Sequence, residues 1–225
     1  MSDARPPHAW LLQFNLLPSR TLHAERARQL WPEDAHQGVW LARAEVQRTL
    51  DRTRSAALLE QLGPHAQPVQ DPTQPALPLA LAPTALLQGL VRQAGVLLLN
   101  AHLRRTILRP QVQAATAALG QPALNWAREA APALHPGLEA EPLAPWLSED
   151  LAASADTLGE GLVAQAWQDA PAPLRLRAGW KLSPSADCPE VRAASALAPE
   201  RARAVCLSLL AQLDPPWLSN FPAIP

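Results

Sequence analysis

The run from Leu86 to Leu108, LLQGLVRQAGVLLLNAHLRRTIL, lies between Pro83 and Pro110. It is the longest continuous folding signal in the chain, and its middle is apolar on nearly every side. A helix over these residues has no broad face to give to water, so other helices must wrap it. The expected fold class is therefore mainly α, a compact multi-helix bundle around a central hydrophobic helix.

Proline sets the lengths of the other elements. The chain holds 25 prolines, and each removes a backbone donor and tends to end a helix near the preceding residue. Alanine fills much of the remainder and favours helix. Trp10–Leu17 does not choose between strand and helix. Thr21–Trp31 reads as a helix capped by Thr21, with Leu22, Leu30 and Trp31 as anchors. Pro32-Glu33-Asp34 suits the start of another. Its inward stripe is Val39, Trp40, Ala44 and Val46, and Gly63-Pro64 stops it after Leu62. Further helices are expected over Gln111–Leu119, ended by Gly120, and over Pro122–Ala130. Residues 132–145 read as irregular. Ser148 would cap a helix running towards Trp167 and Ala170, with Gly159 and Gly161 as weak points. Pro199–Leu213 closes the series, with Val205, Leu209 and Leu213 at helical spacing.

Three stretches depart from this pattern. Residues 64–82 carry prolines at 64, 68, 72, 75 and 78 and read as an extended connector, either a surface loop or a linker. In PLRLRAGWKLS, residues 173–183, Leu174, Leu176 and Ala178 alternate with Arg175, Arg177 and Gly179. That period of two predicts a minor short β element, which would need a partner such as Leu11–Leu17. The tail, 214–225, is expected to lie extended on the surface with Trp217 or Phe221 as an anchor. One helical domain over 1–225 accommodates all of this.

Composition excludes several classes of function. The formal net charge is −1 and charged residues make up 17%, so nucleic acid is not expected as a partner. The N-terminal residues lack the pattern of a secretory signal, and the apolar run Gly95–Leu99 is too short to span a bilayer. A cytoplasmic, non-membrane-spanning protein is the expectation. Cys188 and Cys206 are the only cysteines. They make neither a disulfide framework nor a zinc site; Cys206 reads as a core residue and Cys188 as a loop thiol.

No catalytic motif emerges. Histidines 8, 23, 36, 65, 102 and 135 show no HxH or HExxH spacing. There is no GxSxG elbow, P-loop or dinucleotide fingerprint. The acid pairs Glu33/Asp34 and Glu149/Asp150 stand near expected helix starts, where the helix dipole accounts for them. No catalytic, metal-binding or cofactor-binding residue is assigned. Arg104-Arg105 ends the central segment, where positive charge suits a helix C-terminus and can also hold a partner's carboxylates. The eight tryptophans are interface-type anchors, although Trp31, Trp40, Trp126 and Trp167 fall in apolar helical settings.

Four pieces occur in an order that resembles a known family. They are Phe14-Asn15-Leu16-Leu17-Pro18-Ser19-Arg20-Thr21-Leu22-His23 followed by Leu30-Trp31; Leu97-Leu98-Leu99-Asn100-Ala101-His102-Leu103-Arg104-Arg105; Leu174-Arg175-Leu176; and Val205-Cys206. Together they resemble the YscK/SctK family, cytoplasmic accessory proteins of bacterial type III secretion injectisomes. The proline-rich stretch at 64–82 departs from the family pattern.

The resemblance implies an adaptor of the injectisome sorting platform. Such a protein links the cytoplasmic domain of an inner-membrane ring protein (SctD) to a pod protein (SctQ), with SctL and the ATPase SctN further along. Its work is binding, without catalysis or cofactor, at the cytoplasmic face of the inner membrane. The resemblance assigns no contact residues; the residues themselves suggest one contact surface at Arg104 and Arg105 and another at the exposed tail near Trp217. The alternatives are a secretion chaperone or other helical binding module, and an enzyme with a dispersed site.

Overall fold

A computed structural model describes residues 7–32, 44–134, 137–138, 147 and 150–221. The described residues form helices and turns with no strand. In chain order the first helices are α1 (Pro7–Leu16), α2 (Ala24–Leu30), α3 (Ala44–Gln61), α4 (Leu77–Leu81), α5 (Thr84–Leu98), α6 (Asn100–Arg105) and α7 (Arg109–Leu119). Then come α8 (Gln121–Glu129), α9 (Ala131–Leu134), α10 (Leu151–Gln165), α11 (Ala172–Gly179), α12 (Pro189–Ala193), α13 (Pro199–Leu213) and α14 (Pro215–Leu218). The chain divides into two compact units. The first holds residues 1–84, 170–184 and 216–225; the second holds 85–169 and 185–215.

In the first unit, polar side chains fasten the proline-rich stretch. Each proline there removes a donor, so neighbouring carbonyls need partners from elsewhere. Asn15 on α1 donates from Nδ2 to the Val69 carbonyl and accepts at Oδ1 from the Val69 N–H, both at 2.9 Å. Arg177 donates to the carbonyls of His65 at 3.3 Å and Ala66 at 2.6 Å. Lys181 Nζ donates to the carbonyls of Ala80 at 2.7 Å and Ala82 at 2.6 Å. Trp217 Nε1 donates to the Pro78 carbonyl at 3.0 Å. The connector expected at 64–82 thus contains a buried helical turn, α4, with Leu77, Leu79 and Leu81 all inside.

The expected β element is absent: residues 172–179 are the helix α11. Pro173 stands in its first turn, where a missing N–H is harmless. Leu174 and Ala178 are buried at helical spacing, and Arg177 is buried with them. Counting Arg177 as an outward residue is what produced the apparent period of two. Arg26 on α2 donates to the carbonyls of Leu182 and Ser183 at 2.7 and 2.9 Å, tying the residues after α11 to α2.

Other details also shift. The Trp10–Leu17 segment resolves as helix up to Leu16, and Thr21 ends a 3-10 turn, Pro18–Thr21. The cap of α2 is His23, whose Nδ1 accepts from the Glu25 N–H. Ser19 Oγ meets the Asp51 carbonyl at 2.9 Å and Ser55 Oγ at 2.8 Å, joining this turn to α3. Gly63, at φ +52°, breaks the chain after α3 as expected. Glu33, Asp34, Val39 and Trp40 lie outside the described residues.

In the second unit, the long hydrophobic segment is two helices, not one. Leu87, Leu90, Val91 and Ala94 through Leu98 are buried on α5, and Leu103 is buried on α6. Leu99 stands between them. Asn100 Nδ2 donates to the Leu97 carbonyl at 2.7 Å, the acceptor that an unbroken helix reserves for Ala101. A side chain entering the ladder in this way kinks a helix.

The glycines expected to weaken α10 are contact points. A Cβ on Gly159 would overlap the Val91 carbonyl, and one on Gly95 would overlap the Ala155 carbonyl. Hence α5 and α10 meet backbone to backbone. Arg92 and Asp156 pair bidentately across the same contact, both bonds at 2.6 Å. Gly161 similarly admits the Val191 carbonyl of α12. The cap of α10 is Asp150, which accepts from the Ala152 and Ala153 N–H groups, while Ser148 lies outside the described residues.

Candidate functional site

The corner between α6 and α7 carries the most distinctive surface. Five arginines, 92, 104, 105, 109 and 128, fall between Asp71 and Glu129, a span without a single Asp or Glu. Arg92 is paired with Asp156, and Arg128 is turned to the backbone. Arg104, Arg105 and Arg109 are exposed.

The geometry follows from how α6 ends. Thr106 leaves the helix in an extended conformation, while its N–H and Oγ1 both bond the His102 carbonyl. Arg128 Nη2 donates to the Thr106 carbonyl at 2.6 Å. A cation is thus fixed at the helix C-terminus, where the dipole favours it. The chain then turns through Ile107 and Leu108 into α7, whose first turn contains Pro110. Ile107 is 79% exposed and Leu108 60%. Two consecutive large aliphatic side chains left this open make an apolar corner, with Arg104, Arg105 and Arg109 flanking it in sequence.

Beside the corner lies a groove of about 420 Å³. Ala114, Ala115 and Ala118 of α7 line it, together with Arg105 and His102 of α6 and Leu151 of α10. Short alanine side chains make the space, and Arg105 brings positive charge to it.

A second cleft, of about 190 Å³, lies in the first unit against Trp10, Phe14, Leu81 and Lys181. Lys181 is the only lysine in the chain, and it is buried. Burial pushes its pKa down to about 7, whereas the carbonyls of Ala80 and Ala82 favour the charged form. Arg177 is also held down by burial.

The sequence-assigned residues separate. Arg104 and Arg105 are on the surface as expected, in the last turn of α6. Trp217 is 4% exposed, so it is a core residue of the first unit and not part of an exposed tail. Its ring lies 4.6 Å from Trp10 and 5.3 Å from Phe221, centroid to centroid. Residues 215–218 are helical, not extended. Sequence reasoning missed Ile107, Leu108, Arg109 and Arg128; the acid-free span around them was the available signal.

Cys206 is buried, which raises its thiol to about 12. Cys188 is half-buried and donates to Glu190 Oε2 at 2.6 Å. Among the described residues no three His, Cys, Asp or Glu side chains gather as a metal-holding group. Nor is any described helix long and apolar enough to cross a membrane. No protein-family model, curated protein or solved structure matches the chain.

Proposed function

We propose that the protein is a helical adaptor that works by binding other proteins, and that its setting is the sorting platform of a bacterial type III secretion system. The observation that carries the binding role is the α6–α7 corner, where exposed Ile107 and Leu108 sit among Arg104, Arg105 and Arg109. An apolar centre with charged surroundings is the usual anatomy of a protein contact, and arginine is enriched in such contacts. The secretion setting rests on the ordered likeness to the YscK/SctK family. On that likeness the partners are the SctD-like ring protein's cytoplasmic domain and the SctQ-like pod protein, with SctL and SctN reached indirectly. The protein would be cytoplasmic and recruited to the inner membrane by the apparatus. Trp217 serves the fold in this reading, and the partner contact centres on Arg104 and Arg105.

Co-purification tests the proposal, with the ring protein's cytoplasmic domain and the pod protein offered separately. Capture of either supports it. Capture of neither, with turnover of a small substrate in the Lys181 cleft instead, would replace it with an enzyme.

A further inference from the structure

We infer that the groove beside the α6–α7 corner receives an amphipathic helix from a partner protein, with acidic residues flanking its apolar face. The inference rests on the adaptor reading and gives its contact a chemistry.

Three features of this corner fit one occupant. Ala114, Ala115 and Ala118 line the groove beside Thr106 and Gln111, and their short side chains leave room for aliphatic side chains from outside. Its size falls within the range of about 300–1,000 Å³ typical of binding clefts. Ile107 and Leu108 follow the lining residue Thr106 in the chain and are exposed apolar side chains next to it in sequence. A helix supplies apolar anchors at i, i+3/i+4 and i+7, the spacing needed to reach such a surface from a single rigid element.

Charge then selects among helices. Arg105 lines the groove, and Arg104 and Arg109 are exposed on either side of the corner in sequence. The α6 and α7 part of the lining belongs to a span, Pro72 to Arg128, without an acidic residue, while Asp150 caps α10 at the Leu151 edge. A basic helix is repelled by Arg105, whereas glutamates flanking the apolar face can meet its guanidinium group with bidentate geometry. Arg128 holds the corner from behind through the Thr106 carbonyl. It is a positioning residue.

The probe is a labelled synthetic helix with leucines on one face and glutamates beside them, titrated against the full chain by fluorescence anisotropy. Two control peptides replace glutamate with lysine or scatter the leucines around the helix. Vesicles containing phosphatidylglycerol test an anionic membrane as the alternative occupant. Saturable binding of the acidic amphipathic helix alone is expected. Arg105→Glu should weaken it by about tenfold or more, and Ala118→Trp, which fills the groove, should do likewise. Ile107→Ser, at an exposed position, keeps the charge and should also weaken binding without loss of helix content by circular dichroism. Equal binding of the scattered or basic peptide would overturn the inference. So would full affinity in Ile107→Ser, or binding to vesicles with none to the peptide. Capture of the pod or ring protein that is unaffected by Arg105→Glu and Ile107→Ser would overturn the groove while keeping the adaptor. Binding of the acidic helix with no capture of either protein would keep the groove and remove the injectisome setting.

Discussion

Asn15 pairs with Val69 as if the two were facing residues of a sheet: its amide donates to the Val69 carbonyl and accepts from the Val69 N–H, each at 2.9 Å. Asn15 is buried, so both bonds are made away from water. Asn15→Asp places a carboxylate against a carbonyl oxygen and removes the donor. An unfolding free energy lower by about 3 kcal/mol is expected, since a buried group left unsatisfied costs about 1–3 kcal/mol and a charged one more. Urea denaturation measures it; a cost comparable to a surface substitution would show that the pairing is dispensable.

Gly159 and Gly89 give a matched pair of tests. Gly159→Ala must separate α5 from α10, because its Cβ overlaps the Val91 carbonyl. A loss of about 2 kcal/mol or more is expected, with a lower Tm. At Gly89 the nearest atom to a new Cβ is Leu213 Cδ1 at 3.9 Å, an ordinary contact. Gly89→Ala should therefore stabilise by about 0.5–1 kcal/mol, the helix preference of alanine over glycine. Equal effects at the two sites would refute the backbone crossing.

Lys181 sets a pH dependence. Its folded pKa is lowered from 10.5 to about 7, so between those values the unfolded state binds more protons than the folded one. Stability then rises with pH across this window, by ~1 kcal/mol per pH unit from this group. Below about pH 7 both states are protonated and the contribution is flat. Chemical denaturation of Lys181→Met alongside the unsubstituted chain should show this slope only in the latter. Parallel pH profiles would mean that the Ala80 and Ala82 carbonyls keep the ammonium charged.

Arg203 and Asp169 act with the same sign on the acid side, stability again rising with pH, but here through an ion pair gained on folding. Arg203 holds the Asp169 carboxyl below its usual 3.8 through hydrogen bonds of 2.6 and 3.0 Å. The pair stabilises above the unfolded value and loses that contribution as pH falls through the folded one. Both groups keep some solvent contact, so Asp169→Asn should cost less than about 1 kcal/mol at neutral pH. The difference from the unsubstituted chain should vanish in acid; a difference that persists there would point to packing instead.

Helix existence was legible where proline and glycine punctuate an apolar rhythm. Pro199–Leu213 folds over the expected residues, and Gly120 ends α7 with φ +84°. The misreadings share a cause: polar side chains acting inside the protein. Arg177 counted as a surface residue, which turned α11 into an imagined strand. The reach of Asn100 to the Leu97 carbonyl, which divides the central segment, has no signature in hydrophobic periodicity. Lys181, Asn15 and Trp217 bind a proline-rich backbone whose partners come from up to 139 positions away, so local pattern showed only the missing donors. At the candidate site the arginine pair was legible, whereas the alanine groove needed α6, α7 and α10 brought together.

The most direct measurement is a titration of the pod protein, and separately of the ring protein's cytoplasmic domain, against the full chain and its Arg104→Glu/Arg105→Glu variant. The expected result is saturable binding of at least one partner, weakened by about tenfold or more in the variant, with helix content unchanged. Binding of equal strength by both chains, or none by the unsubstituted chain, would contradict an adaptor that docks through this corner.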